Sequence, residues 1–145
     1  MCSAASLVAW ILSLAVAHDG HGRPIPRPAG FATVIATVAL EHPEVDPRIV
    51  AATLDVIAAH ESAYRTSAIG DHGASCGAFQ TPCARTPHDA LGQARVAATI
   101  WLVAVDRCPE HPMWLYASGR CAPSRIARRY ERFIREELSA TRRMQ

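Results

Sequence analysis

The feature that most limits the fold lies at residues 46–64, where an apolar segment of helical length runs into a charged end. Asp46-Pro47 makes a helix start, with the aspartate as N-cap and the proline at the first helical position, where its missing N–H costs nothing. Ile49, Thr53, Val56, Ile57 and His60 then recur at helical spacing. The helix is expected to reach Glu61 and stop near Tyr64. Residues 65–85 have no helical period. Gly70, Gly73 and Gly77 supply turns there, so a loop or a small irregular β-hairpin is expected.

The remaining segments also read as helical. Phe31 to Leu40 is a compact apolar run. Thr86-Pro87-His88-Asp89 reads as a second helix start with Thr86 as N-cap. The helix that follows, to about Arg107, carries Leu91, Val96, Ile100, Leu102 and Val103. It is apolar over most of its surface and is expected to be the central, buried helix. Pro109 and Pro112 separate it from a short element around Met113–Ser118 that ends at Gly119. Pro123 begins a last helix, with Ile126, Tyr130, Phe133, Ile134 and Leu138 as its apolar stripe and Arg128, Arg129, Arg132 and Arg135 facing away. The 145 residues, half of them apolar, fit one mainly α domain.

The N-terminus reads as a secretion signal over residues 1–17. Leu7 to Ala17 is an apolar run too short for a bilayer, which needs ~20 residues, and it closes on the small-x-small pattern Ala15-Val16-Ala17. The leading MCSAAS lacks Arg and Lys, and the alternative is a first core helix. Residues 18–30, rich in Pro and Gly, are expected as a linker to a domain spanning 31–145. The mature chain would be secreted or periplasmic, without a stable membrane span. Removing the signal removes Cys2 and leaves Cys76, Cys83, Cys108 and Cys121, an even count that points to two disulfides. Of the three connectivities, Cys76–Cys83 with Cys108–Cys121 is favoured because each would pin a loop between helices. A zinc site competes, but no C-x-x-C pair is present, and no metal or cofactor is expected.

All 15 basic residues are Arg. Residues 120–145 hold eight of them against Glu131, Glu136 and Glu137, giving +5, while the remainder carries seven Arg against ten acids, giving −3. The basic end points to a polyanion, such as cell-wall polymer, phospholipid surface or nucleic acid, or else to a solvated helix face. A nucleic-acid binder would show basic surface beyond one helix. The rest of this chain is acidic, so no nucleic-acid partner is expected.

Glu61 is the candidate for chemistry. Partial burial and the negative end of the helix dipole both disfavour its charged form, and a carboxyl kept protonated is what a general acid needs. The plain alternative is a solvated glutamate at a helix end. Glu61-Ser62 is followed by Tyr64, the turn Gly70-Asp71-His72-Gly73, the segment Gly77-Ala78-Phe79-Gln80 and, later, Tyr116-Ala117-Ser118-Gly119. Over about residues 46–135 this order resembles the lysozyme-like superfamily, above all soluble lytic transglycosylases and goose-type lysozymes. In those families a Glu-Ser pair ends a helix and supplies the catalytic acid. A Gly-Leu-Met-Gln segment lines the sugar cleft, and an Ala-Tyr-Asn-x-Gly segment closes it. This chain departs from that pattern: Ala78-Phe79 stands for Leu-Met, and Ala117 for the Asn.

The resemblance implies a lysozyme-like helical domain that cleaves the β-1,4 bond between N-acetylmuramic acid and N-acetylglucosamine in peptidoglycan. Glu61 would be the catalytic acid. In a transglycosylase the substrate's own acetamido and 6-hydroxyl groups complete the reaction; in a hydrolase Asp71 would position a water, although Asp71 can equally be a turn former. Ser62, Gly77, Phe79, Gln80 and Tyr116 would contact or shape the cleft. For Gln80 the alternative is a tie from the loop to backbone, and for Ser62 a capping or orienting role. The partner would be peptidoglycan glycan strands, bound by a monomer. The reading fails if the Glu61 side chain points freely into solvent with no groove running past Gln80 and Tyr116. Three other readings compete. One is a non-catalytic glycan- or protein-binding module. The second is a metal site at His60, Glu61, Asp71 and His72, opposed by the divergent faces of adjacent residues. The third is a Cys76 nucleophile.

Overall fold

A computed structural model describes residues 3–14 and 16–140. Cys2, Ala15 of the cleavage pattern, and Arg142 and Arg143 lie outside the described residues. The architecture is mainly α, with small β elements. In chain order the helices are α1 (Ala4–Ser13), α2 (Ala29–Leu40), α3 (Pro47–Ser62), α4 (Ala90–Arg107), α5 (Pro112–Ser118) and α6 (Arg125–Ala140). Strands β1 (Ala17–His18) and β2 (Pro24–Ile25) form one antiparallel pair. Strands β3 (Ile69–Gly70), β4 (Ser75–Cys76) and β5 (Thr81–Pro82) form a second sheet with β4 in the middle.

The central helix is α3. Asp46 caps it by accepting from the Arg48 N–H at 2.9 Å, with Pro47 at the start; such a cap stabilises by about 1 kcal/mol. Every residue from 50 to 59 is buried. Small residues make this possible: Ala51, Ala52, Ala58 and Ala59 let α1, α2, α4, α6 and β1 all approach. Leu54 and Ile57 fill the spaces between, and each stabilises by about 1.5–3 kcal/mol on burial. Ile49, expected on the buried stripe, is instead 38% exposed.

The expectation that the fourth helix is the central one is corrected. α4 buries Gln93, Ala94, Ala97, Ala98, Trp101 and Ala104, whereas Leu91, Val96, Ile100 and Leu102 are half-buried and Val103 is exposed. An apolar surface all round is common to core helices and to helices under a partial cover, and the alanine face of α4 packs closest. Its N-cap is Asp89, which accepts from the Gly92 N–H at 2.7 Å. Thr86 spends its hydroxyl on Thr81 and the Pro82 carbonyl instead. α5 ends on Gly119 in the left-handed region (φ 70°), a conformation that favours glycine. α6 buries Ala127, Tyr130, Ile134 and Glu137, while Ile126 is 59% exposed.

The irregular insertion is a three-stranded sheet of two-residue strands, paired Ile69↔Cys76 and Gly70↔Ser75, then Ser75↔Pro82 and Cys76↔Thr81. Strands this short do not stand alone. The Cys76–Cys83 disulfide closes the sheet beside its last strand, and Cys108–Cys121 ties the end of α4 to the segment before α6. Both pairings are the sequence-local ones, and two disulfides accord with an oxidising compartment.

At the N-terminus, Ser3 and Ser6 form a capping box and α1 docks on α2, burying Leu7 and Ile11 completely. Residues 4–13 are thus packed as a first core helix would be. The stretch 18–30, expected as a linker, is held to the domain. Its β1–β2 turn is fastened by the buried Asp19, which accepts from the His21 and Arg23 N–H groups at 2.9 Å. Arg27 then inserts against α3. Among the described residues no helix is long and apolar enough to cross a membrane.

Candidate functional site

Glu61 lies in the last turn of α3, one residue before the helix ends at Ser62. Ala63 then adopts the left-handed conformation (φ 54°) and turns the chain away. The Glu61 carboxyl is largely shielded. Its Oε1 accepts a short hydrogen bond from the Tyr130 hydroxyl on α6. Burial pushes the carboxyl above its ordinary range, the Tyr130 bond pulls it back in part, and the negative charge of Asp71 adds a further push upward. Tyr116 on α5 and Tyr130 are held protonated well beyond the usual phenol range, first by burial and then by the Glu61 charge. Glu61, Tyr116 and Tyr130 therefore form one electrostatically coupled group. Tyr130 was legible in the sequence only as part of an apolar stripe.

The expected cleft residues take more internal roles. Ser62 is buried and its hydroxyl donates to the Ala78 carbonyl at 2.8 Å while accepting from the Arg65 N–H at 2.9 Å. This orienting role leaves it no free face for a ligand. Phe79 is 1% exposed and turned inward toward Phe31, with ring centroids 6.3 Å apart, so it is core and not cleft wall. Gln80 donates through Nε2 to the Gly77 carbonyl at 2.8 Å, the loop-to-backbone alternative. Gly77 is buried at φ 77°, and a Cβ there would lie 2.6 Å from the Gln93 side chain. Asp71 is exposed, sits at φ 49°, and accepts from the Ser75 hydroxyl at 2.6 Å, which is turn-former behaviour.

Gln93, which sequence reasoning passed over, organises this region. From α4 its Oε1 accepts from the Ala78 N–H at 2.8 Å, and its Nε2 donates to the Thr66 and Pro87 carbonyls at 3.0 Å. One buried amide thus holds the segment 77–80, the loop after α3 and the entry to α4. A glutamine on the alanine face of an apolar helix was the available signal.

A second buried polar group was also missed. Asp55, in the middle of α3 and fully buried, accepts from Arg27 Nε at 2.9 Å and Nη2 at 2.7 Å, and from the Tyr64 hydroxyl at 2.9 Å. Glu137 of α6 joins through Arg27 Nη2 at 3.5 Å. Burial and the Asp55 charge push the Glu137 carboxyl well above its ordinary range, against the pull of the Arg27 cation. A lone aspartate among apolar residues was the sequence sign of this cluster.

His60 packs against Tyr130 and Phe133, with centroids 5.3 and 4.7 Å away, and its Nδ1 donates to the Val56 carbonyl. Burial lowers its pKa, so the ring is neutral. Among the described residues no group of three His, Cys, Asp or Glu could hold a metal ion.

Apart from a concavity of about 410 Å³ beside Leu12, Ile25 and Arg27, three stand out. One of about 70 Å³ lies between β1, α3 and α6, where His60 Nε2 and Glu137 Oε2 lack hydrogen-bond partners. One of about 420 Å³ is an apolar groove beside Ile49, Trp101 and Met113. The third, of about 520 Å³, is lined by arginines of α6. None of the three is lined by Glu61, Gln80 or Tyr116. In comparisons with known proteins, no protein-family model, no curated protein and no solved structure matches the chain.

Proposed function

We propose that the protein cleaves the glycan strands of peptidoglycan between N-acetylmuramic acid and N-acetylglucosamine, by lytic transglycosylation with Glu61 as the single acid and base, in a lysozyme-like helical domain. The observation that carries this reading is the state of Glu61: shielded from solvent, raised in pKa, and held by Tyr130 through one oxygen. No other hydrogen bond to this carboxyl occurs among the described residues, which in this reading leaves Oε2 for the substrate. Protonated Glu61 would deliver its proton to the glycosidic oxygen as the C1–O bond breaks. The substrate's acetamido group would steady the positive sugar. The carboxylate would then take the proton of the 6-hydroxyl as that oxygen bonds to C1, leaving an anhydro-sugar end and consuming no water. The two disulfides support placing the protein outside the reducing cytosol, secreted or periplasmic.

A hydrolytic reading is favoured by one observation. The Asp71 carboxylate is exposed and near enough to raise Glu61, so it could position a water on the far side of the sugar. Digestion of purified sacculi with the full chain, followed by mass spectrometry, tests both. Anhydro ends that vanish with Glu61→Gln are expected. Reducing ends would make the enzyme a hydrolase. Glycan binding without turnover would make the protein a non-catalytic module.

A further inference from the structure

Arg125, Arg128, Arg132 and Arg135 follow one another on α6 at intervals of three, four and three residues. At 1.5 Å per residue they form a stripe about 15 Å long on one side of the helix. With Arg129 they line a concave surface of about 520 Å³ to which no other residue contributes. Arg129 is fixed by a 2.8 Å hydrogen bond from Nη1 to the Gly20 carbonyl, and Arg132 lies over the Phe133 ring, 4.9 Å from its centroid. Arg132 also pairs loosely with Glu136 at 3.8 Å. The guanidiniums of Arg125, Arg128 and Arg135 have no hydrogen-bond or ion-pair partner among the described residues, and all three residues are exposed. Unpaired guanidiniums held at close spacing repel one another, and an anion placed among them relieves that repulsion while accepting forked hydrogen bonds.

We infer that the arginine stripe of α6 is a docking surface for a base-free phosphodiester polymer, a polyol-phosphate chain of the kind that can be attached to a cell wall. The choice of a wall-attached chain rests on the peptidoglycan reading above; the anion-binding surface does not. One guanidinium every few ångströms matches a chain that carries a charge on every repeat. A single-stranded nucleic acid would gain from aromatic platforms for its bases, and no aromatic residue lines this concavity. An anionic membrane would gain from a broad apolar face beside the charges, whereas the apolar face of α6 packs on the core through Ala127, Tyr130 and Ile134 and leaves Ile126 alone exposed among its large apolar residues. The stripe shares its helix with Tyr130, which touches Glu61. A polymer held there would keep the adjoining glycan near the carboxyl.

The test is fluorescence anisotropy of the full, disulfide-intact chain with a labelled poly(glycerol phosphate) across a range of NaCl concentrations. Oligo-dT of equal charge and phosphatidylglycerol vesicles serve as competitors. The polyol phosphate is expected to bind more tightly than either, with affinity falling steeply as salt rises. Replacing Arg128, Arg132 and Arg135 together by Ala should weaken binding at least tenfold and reduce the salt slope by about 2, at roughly 0.7 per phosphate contact on a single strand. Arg48→Ala and Arg85→Ala, exposed arginines elsewhere, should leave it unchanged. Wild-type affinity in the triple variant overturns the inference, as does equal or tighter binding of the oligonucleotide or the vesicles. Glu61→Gln should bind as wild type, so a failure of the cleavage reading is distinguishable from a failure of this one.

Discussion

The Tyr130 hydroxyl donates to Glu61 Oε1, joining the end of α3 to the middle of α6 across 69 residues of chain. That bond holds the carboxyl in place and favours its ionised form, against the burial that favours the neutral one. Tyr130→Phe removes the donor and is expected to raise the Glu61 pKa further. Activity that needs protonated Glu61 falls as pH rises through this pKa, so the descending limb of the kcat/KM profile should move to higher pH. Lost positioning should lower the rate about tenfold, equivalent to about 1.4 kcal/mol. A limb at the wild-type pH would separate Tyr130 from the chemistry.

Glu61→Gln should lower turnover by about 10²–10⁴-fold, the usual worth of a general acid, without a loss of stability at neutral pH. Because the folded-state pKa of Glu61 is raised, its stabilising contribution is complete below the unfolded value of 4.5 and is lost as pH rises through the folded value. Glutamine stays neutral throughout. Thermal melts should therefore give the variant a Tm at pH 8 equal to or above wild type, with any gap closing by pH 4. A lower Tm at pH 8 would contradict the burial argument.

Asp55→Asn removes the only carboxylate bonded to both Arg27 and Tyr64 among the described residues. It leaves the Arg27 cation buried without its counter-charge, and breaking a pair in this way costs about 3–5 kcal/mol. Urea unfolding should show that loss as a lower midpoint at unchanged slope. Glu137→Gln, which replaces a carboxyl that burial already biases toward its neutral form, should unfold close to wild type.

Gln93→Ala should destabilise the protein by about 3 kcal/mol, since it leaves the Ala78 N–H and the Thr66 and Pro87 carbonyls without their shared partner. Hydrogen exchange at the Ala78 amide should quicken, ahead of amides in the middle of α3.

A chain beginning at His18 should be less stable than one carrying α1. Burying Leu7 and Ile11 on α2 is worth about 1.5–3 kcal/mol each. The shortened chain should melt lower and bind a hydrophobic dye. An unchanged Tm would mean that α1 adds nothing to the core.

Features written in local chemistry were legible beforehand. Asp46-Pro47, the end of α3 beside Glu61 and Gly119 after α5 are each set within a few residues, and the disulfides join cysteines only 7 and 13 residues apart. Features set by distant contacts were not. Tyr130 shares its periodicity with ordinary core residues, and only folding brings its hydroxyl to Glu61. Thr86 and Asp89 both have capping chemistry, and Thr81 decides between them by occupying Thr86. The Pro-rich stretch before α2 reads as a linker until Arg27 finds Asp55, because the ion pair has one partner in each segment. α4 looked central because its large apolar residues cover most of its surface, whereas close approach in this fold depends on alanine.

The Ser62 hydroxyl bridges the Ala78 carbonyl and the Arg65 N–H directly after Glu61. The end of the helix and the turn at 77–80 are thereby clamped into one rigid piece. A displacement of that turn would therefore reach the residue next to Glu61 through the Ser62 hydroxyl.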